Sequence, residues 1–168
     1  MDLGQLMHAY RNLSTADKER FAVLVRAHQV FTSPMLVREL ARRHMEIDSG
    51  MNPRRGEVQE ALTPWQLPED TLDALRRFAR FCSGSLEELT LLARQNPHDA
   101  ERLLITIATF AKTMAEGGAP VTDADTLETT DEMGRTNTIA VIQRAVCVYW
   151  LDAALRRIRF LAFRRALE

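Results

Sequence analysis

An uncharged stretch in the middle of the chain constrains the fold more than any other feature. Residues 103–111 read LLITIATFA and carry no charged side chain. A helix without a polar side must be surrounded by other elements. Pro97 precedes the stretch and Gly117 follows it, and this spacing favours a helix over 97–116 rather than a strand. The sequence therefore predicts a central helix against which the rest of the chain packs.

Helix signals recur on both sides of this segment. Ser14 precedes an apolar helical pattern as an N-cap, and Ser33 and Pro34 provide a cap and a first-turn proline. Further helices are predicted over about 57–63, 69–83, 85–95 and 137–167. We therefore expect an all-α fold, in which residues 1–168 form a single domain. Its architecture would be a compact bundle of about six or seven helices with a long C-terminal helix.

The charge distribution limits the classes of function. Lys and Arg total 22 and Asp and Glu total 23, so the net charge of −1 does not suggest a general polyanion-binding protein. Five acids and no base occur in 117–134, which predicts an acidic loop over about 117–136. Of the basic residues, all but Lys18 and Lys112 are arginine, a bias typical of a GC-rich genome. This composition indicates a bacterial or phage protein.

The sequence predicts a cytoplasmic protein. The N-terminus MDLGQLMHAY lacks the basic start and apolar run of a secretory signal. The most apolar stretch is interrupted by Arg144 and Asp152 before it reaches the ~20 residues that a membrane span needs. Cys82 and Cys147 lie far apart within apolar patterns, which is typical of small core residues in a reducing compartment.

No motif in the sequence predicts catalysis, a metal site or a cofactor. The stretch GMNPRRGEV lacks the Gly-Lys-Ser/Thr ending that holds nucleotide phosphates, and DADTLETTDEMG lacks the glycine and final glutamate of a calcium loop. The four histidines are not at paired ligand spacings. His28 and His44 each extend an apolar stripe, so both are expected in the core. We therefore predict a protein that is not an enzyme.

The C-terminal residues are the predicted partner-binding surface. On a helical wheel, the arginines after residue 155 separate two narrow apolar stripes, one containing Ile158 and the other containing Phe160. Two stripes suit a helix that packs against its own bundle on one side and a protein partner or a second copy on the other. Alternatively, both stripes belong to the core. The residues assigned to the contact are Arg156, Arg157, Arg159, Phe160, Phe163, Arg164 and Leu167.

A nucleic-acid-associated regulator is the alternative function. The segment SPMLVRELARRHMEI resembles the first helix of a helix-turn-helix unit, but no turn glycine follows and the next predicted helix, GEVQEAL, is acidic. The residues that would contact phosphates are Arg38, Arg42, Arg43, Arg54 and Arg55. We expect instead a protein–protein interaction module, such as an adaptor, chaperone, inhibitor or assembly subunit. Self-association through the C-terminal helix would make it a homodimer or higher oligomer.

Overall fold

The computed structural model describes residues 1–118 and 126–166, and it is an α+β fold rather than the predicted all-α bundle. The helices of the described part are α1 (Leu3–Arg11), α2 (Thr15–Phe31), α3 (Pro34–Asp48), α4 (Arg55–Leu62), α5 (Glu69–Phe78), α6 (Ser83–Gln95) and α7 (Ala100–Ala115). The strands are β1 (Ala79–Phe81), β2 (Thr126–Thr130), β3 (Thr136–Ile142), β4 (Ala145–Asp152) and β5 (Arg157–Arg165).

The predicted long C-terminal helix is wrong, because residues 136–165 form three antiparallel strands. The turns between these strands carry no glycine, proline or asparagine that would have marked them. Gln143 and Arg156 take the positive φ angles of these turns, at 55° and 50°. A strand buried on both faces reads as a continuous apolar run, which periodicity alone does not distinguish from a buried helix. The predicted acidic loop over 117–136 is also corrected, since it contains β2.

The five strands form one mixed sheet in the order β1-β5-β4-β3-β2. All neighbours pair antiparallel except β1 and β5, which are parallel. The pairing of β4 with β5 shifts between Val148 and Tyr149, which face Ala162 and Phe160, so Leu161 is an extra residue in β5. This β-bulge turns Leu161 and Ala162 toward the same side of the sheet.

Helices cover both faces of the sheet, and each face has its own hydrophobic cluster. The larger cluster joins α4, α5, α6 and α7 to one face, which includes Cys147, Phe160 and Phe163. The smaller cluster joins α2 and α3 to the opposite face and includes Phe31, Val148 and Leu161. The chain therefore builds three layers, with β4 and β5 buried between helices.

Several local predictions agree with the helices that form. Ser14 and Ser33 cap α2 and α3, and Pro34 occupies the first turn of α3. The uncharged stretch lies within α7, where Leu104, Ile107 and Ala111 are fully buried. Two boundaries differ from prediction. Helix α6 begins at Ser83 and is capped by Cys82 rather than Ser85, and α5 ends before β1 rather than at Gly84.

Candidate functional site

Helix α3 buries ionisable side chains, which distinguishes it from the other helices of the described residues. Arg43, His44 and Glu46 are buried together with Leu40 and Ala41. Buried polar groups are destabilising unless they are hydrogen-bonded. In the described part of the chain no buried side-chain nitrogen or oxygen lacks a hydrogen-bond partner. Two networks account for the hydrogen bonds of the buried ionisable side chains of α3.

The first network surrounds His44, whose side chain is 1% exposed. Its Nε2 lies 2.7 Å from Oδ1 of Asn137 on β3, and its Nδ1 lies 3.2 Å from Nη1 of Arg159 on β5. Since Arg159 only donates, Nδ1 accepts and Nε2–H donates to the Asn137 carbonyl, which fixes one neutral tautomer. Burial lowers the pKa of His44, although the Asn137 hydrogen bond opposes this effect. The 3.7 Å contact with Asp131 is therefore not an ion pair.

Asp131 anchors the turn between β2 and β3 and positions Asn137. Its Oδ1 accepts hydrogen bonds from the backbone N–H groups of Met133 at 2.9 Å and Arg135 at 3.1 Å. Its Oδ2 accepts from Nδ2 of Asn137 at 3.2 Å. The resulting chain Asp131–Asn137–His44 resembles an oriented base. The imidazole is buried, and the arrangement ties α3 to the sheet.

Arg159 extends this network to the end of α3. Its Nη2 lies 2.7 Å from Oδ1 of Asp48, and Oδ2 of Asp48 lies 2.9 Å from Nη1 of Arg135. The guanidinium carbon of Arg159 also lies 4.8 Å from the ring centroid of Trp150, within cation–π range. Burial acts to raise the pKa of Asp48, but the hydrogen bonds from Arg159 and Arg135 outweigh it and lower the pKa. Both oxygens of Asp48 are therefore occupied.

The second network joins α3, α6 and β5 at Glu88. The Glu88 carboxylate accepts from Nη1 of Arg43 at 2.5 Å, from Nη1 of Arg164, and from the Phe163 N–H at 3.4 Å. Arg43 also donates to the Leu161 carbonyl at 2.7 Å, which is the carbonyl of the bulge residue. In addition, Glu46 accepts from the Ser83 N–H at 2.9 Å, at the start of α6. These contacts cover the part of β5 that extends beyond the three-residue β1.

The predicted partner-binding residues do not form one surface. Phe160 and Phe163 are 0% and 1% exposed, which places them in the core. Arg159 and Arg164 take part in the two networks above, and Leu167 lies outside the described residues. Because Arg157–Arg165 form a strand, neighbours in sequence there alternate between the two faces of the sheet. The two apolar stripes are instead the two buried faces of β5.

The arginines of the nucleic-acid alternative are mostly paired with carboxylates. Arg42 lies 2.6 Å from Glu39, and this hydrogen bond, assisted by Arg43 and opposed by burial, lowers the pKa of Glu39 to about 2. Arg43 is committed to Glu88. Arg38 is exposed and lies 3.7 Å from Glu132. Arg54 and Arg55, at the start of α4, are exposed.

An apolar surface at the N-terminus was not identified from the sequence. Leu3, Leu6 and Met7 lie on one side of α1 and are 74%, 49% and 42% exposed. Helix α1 has no buried residue, and its Tyr10 ring lies 5.8 Å from that of Phe21 on α2, which is 45% exposed. We call Leu3, Leu6, Met7 and Phe21 the N-terminal apolar face. The i, i+3, i+4 spacing of LGQLM carried this signal in the sequence.

A cleft lies beside Arg159, between the end of α3 and the neighbouring strands. Its cavity volume is about 350 Å³, and its lining includes Asp48, Asn52, Arg80 and Arg157.

Within the described ranges, no group of three or more His, Cys, Asp or Glu side chains is placed to hold a metal ion. None of the helices in the described residues combines the length and the apolar character that a membrane span requires.

The chain matches no protein-family model, no curated protein and no solved structure. Its function must therefore be inferred from the surfaces and networks described above.

Proposed function

We propose that this protein acts by binding another protein through the N-terminal apolar face, and that it does so in the cytoplasm as a non-enzymatic adaptor, chaperone, inhibitor or assembly subunit. The observation that carries the proposal is the exposure of Leu3, Leu6 and Met7 on a helix with no buried residue. Ordering a helix costs conformational entropy, and α1 buries no residue within the chain that would offset this cost. A partner that covers the face would add the missing apolar burial.

The geometry of α1 indicates the kind of partner. Apolar residues at i, i+3 and i+4 are the anchors by which a helix inserts into a hydrophobic groove of another protein. A membrane-surface helix has a strongly basic polar face, whereas Arg11 is the only fixed positive charge in α1. We therefore assign the face to a groove in a protein. The two buried cysteines, which are unpaired, are consistent with a cytoplasmic location.

The nucleic-acid alternative has less support than protein binding. Binding to a phosphate backbone requires cations that are free to neutralise it. The carboxylates of Glu39 and Glu88 already pair with Arg42 and Arg43. Arg54 and Arg55 would remain as a small basic site.

The proposal can be tested by site-specific photo-crosslinking in cells that naturally produce the protein. A photoreactive side chain at position 6 should give one discrete protein adduct, whereas position 8 should not, because His8 lies on the opposite side of α1. With the purified adduct partner, Leu6→Glu should raise Kd at least about tenfold, since a buried charge without a pair destabilises an apolar contact.

His8→Glu is the control, because it adds the same charge away from the face. Equal weakening by both variants, or no adduct from position 6, would overturn the proposal. An adduct between two copies of the chain would identify self-association as the interaction.

A further inference from the structure

The register of the sheet brings three arginines together at the cleft beside Arg159. Arg80 of β1 is the direct neighbour of Arg159 in the parallel pairing with β5. Arg157 precedes Arg159 by two residues, and side chains two apart in a strand lie on the same face. All three line the same cavity. Like charges on neighbouring strands destabilise a sheet unless an opposite charge compensates them.

The described carboxylates near the cleft do not pair with all three arginines. Arg159 is paired with Asp48, whose second oxygen is taken by Arg135. In contrast, the side chains of Arg80 and Arg157 form no ion pair or hydrogen bond with any residue that the structure describes. Both are partly buried rather than fully exposed. Within the part of the chain that the structure describes, the cleft therefore contains two guanidinium groups that form no ion pair, although Asp152 lies opposite Arg157 in the β4–β5 register.

The remaining polar groups of the cleft are compatible with an anionic ligand. Asp152, the second acid in the lining, accepts a hydrogen bond from the Leu155 N–H at 3.2 Å and lies 3.9 Å from Arg159. Asn52 supplies an uncharged amide from the loop after α3. A volume of about 350 Å³ falls in the range of sites for small molecules and is too small for a polymer.

We propose that this cleft binds a small molecule through a phosphate monoester group, with Arg80 and Arg157 as the paired cations. A phosphate monoester carries a charge of about −1.5 to −2 at pH 7, which matches two unpaired guanidiniums. The planar fork of each guanidinium donates two parallel hydrogen bonds to phosphate oxygens. Arg159 and Asp48 line the same cleft as an ion pair. This site is independent of the N-terminal apolar face.

The test is a calorimetric titration of the purified protein with glycerol phosphate and inorganic phosphate, at constant ionic strength and pH 7.5. We expect saturable binding, at least tenfold weaker in Arg80→Met and in Arg157→Met. Arg94→Met, which removes an exposed arginine on α6, should bind like the unmodified chain. Arg80→Lys should be intermediate, because it keeps the charge and loses the fork.

Two further measurements decide the chemical class. Binding should weaken between pH 7.5 and 5.5 as the phosphate loses its second charge, whose pKa is about 6. Acetate should bind at least tenfold more weakly than glycerol phosphate. Equal affinity for acetate would overturn the assignment to phosphate. Affinity that is unchanged in both methionine variants, or the absence of saturable binding, would overturn the site itself.

Discussion

At the scale of single residues, His44 links the stability of the fold to pH. The ring is buried between α3 and the sheet, and burial lowers its pKa while Arg135 and Arg159 add to the effect and Asp131 opposes it. The unfolded chain binds a proton at His44 near the ordinary pKa of about 6.5. The folded chain binds that proton only at a lower pH. Stability is therefore fully present above about pH 6.5 and falls as the pH decreases below it.

We predict that the free energy of unfolding decreases between pH 6.5 and 5.5, by at most about 1.4 kcal/mol for this one proton. Urea denaturation at pH 7.5, 6.5 and 5.5 measures the slope. His44→Gln should flatten it, because glutamine does not titrate. His98→Gln, at an exposed position, should retain it. The carboxylates of Glu39 and Asp48 have lowered pKa values and lose their contribution only at more acidic pH, so this window isolates His44. A slope that persists in His44→Gln would contradict the assignment.

The position of a histidine on an apolar helix stripe predicted its burial correctly in one of two cases. His44 was predicted in the core and is buried there. His28 was predicted in the core by the same stripe argument, and this was wrong because it is exposed. The partners of His44 could not be predicted. Asn137 and Arg159 follow it by 93 and 115 residues, and only the sheet register brings them together.

At the scale of elements, the carboxylate of Glu88 joins α3, α6 and β5 at one junction. Glu88 bonds to Arg43, Arg164 and the Phe163 N–H, and its side chain is 15% exposed. Arg43 would retain Glu39 and the Leu161 carbonyl if Glu88 were removed. However, Arg43 would lose Glu88, the less exposed of its two carboxylate partners.

We predict that Glu88→Ala lowers the free energy of unfolding by about 3 kcal/mol, since the buried Arg43 would keep only the more exposed Glu39 as a counter-charge. Chemical denaturation measures the loss. Glu87→Ala provides a matched control, because the adjacent carboxylate is exposed and should contribute less than about 0.5 kcal/mol. Equal losses in the two variants would show that the network does not stabilise the junction.

The strands were the elements that could not be predicted from the sequence. In RRIRFLAFRR, arginines alternate with apolar residues at Arg157, Ile158 and Arg159, which is a strand pattern of period two. The bulge at Leu161 then interrupts the alternation, so that the segment as a whole fits a helix equally well. By contrast, α2 and α3 begin with Ser14 and Ser33 caps, and local chemistry alone was sufficient to predict them.

At the scale of the whole molecule, α1 stands apart from the layered core. It contributes no buried residue, whereas α2 to α7 all do.

We predict that deleting residues 1–12 lowers the free energy of unfolding by no more than about 1 kcal/mol, the size of the aromatic contact between Tyr10 and Phe21. The same deletion should abolish binding to the partner identified by crosslinking.

Urea denaturation of the shortened and complete chains measures the first effect, and a pull-down with purified partner measures the second. Loss of cooperative unfolding in the shortened chain would mean that α1 belongs to the core.

The candidate interface at α1 was visible as a spacing in the sequence, but its exposure was not. Whether an amphipathic face is covered depends on the placement of every other helix, and the wrong fold class left that placement unknown.

The position of β5 in the sheet has a consequence for how the protein is made. β5 lies between β1 and β4, yet it follows the other four strands in chain order. During synthesis, the helices emerge from the ribosome well before the strand that contributes Phe160 to one cluster and Leu161 to the other. Neither cluster can close until that strand has emerged, so the nascent chain keeps its apolar helix faces exposed until translation has passed residue 165. A premature stop only a dozen codons earlier would therefore remove an interior strand and leave β1 without its only neighbour in the sheet.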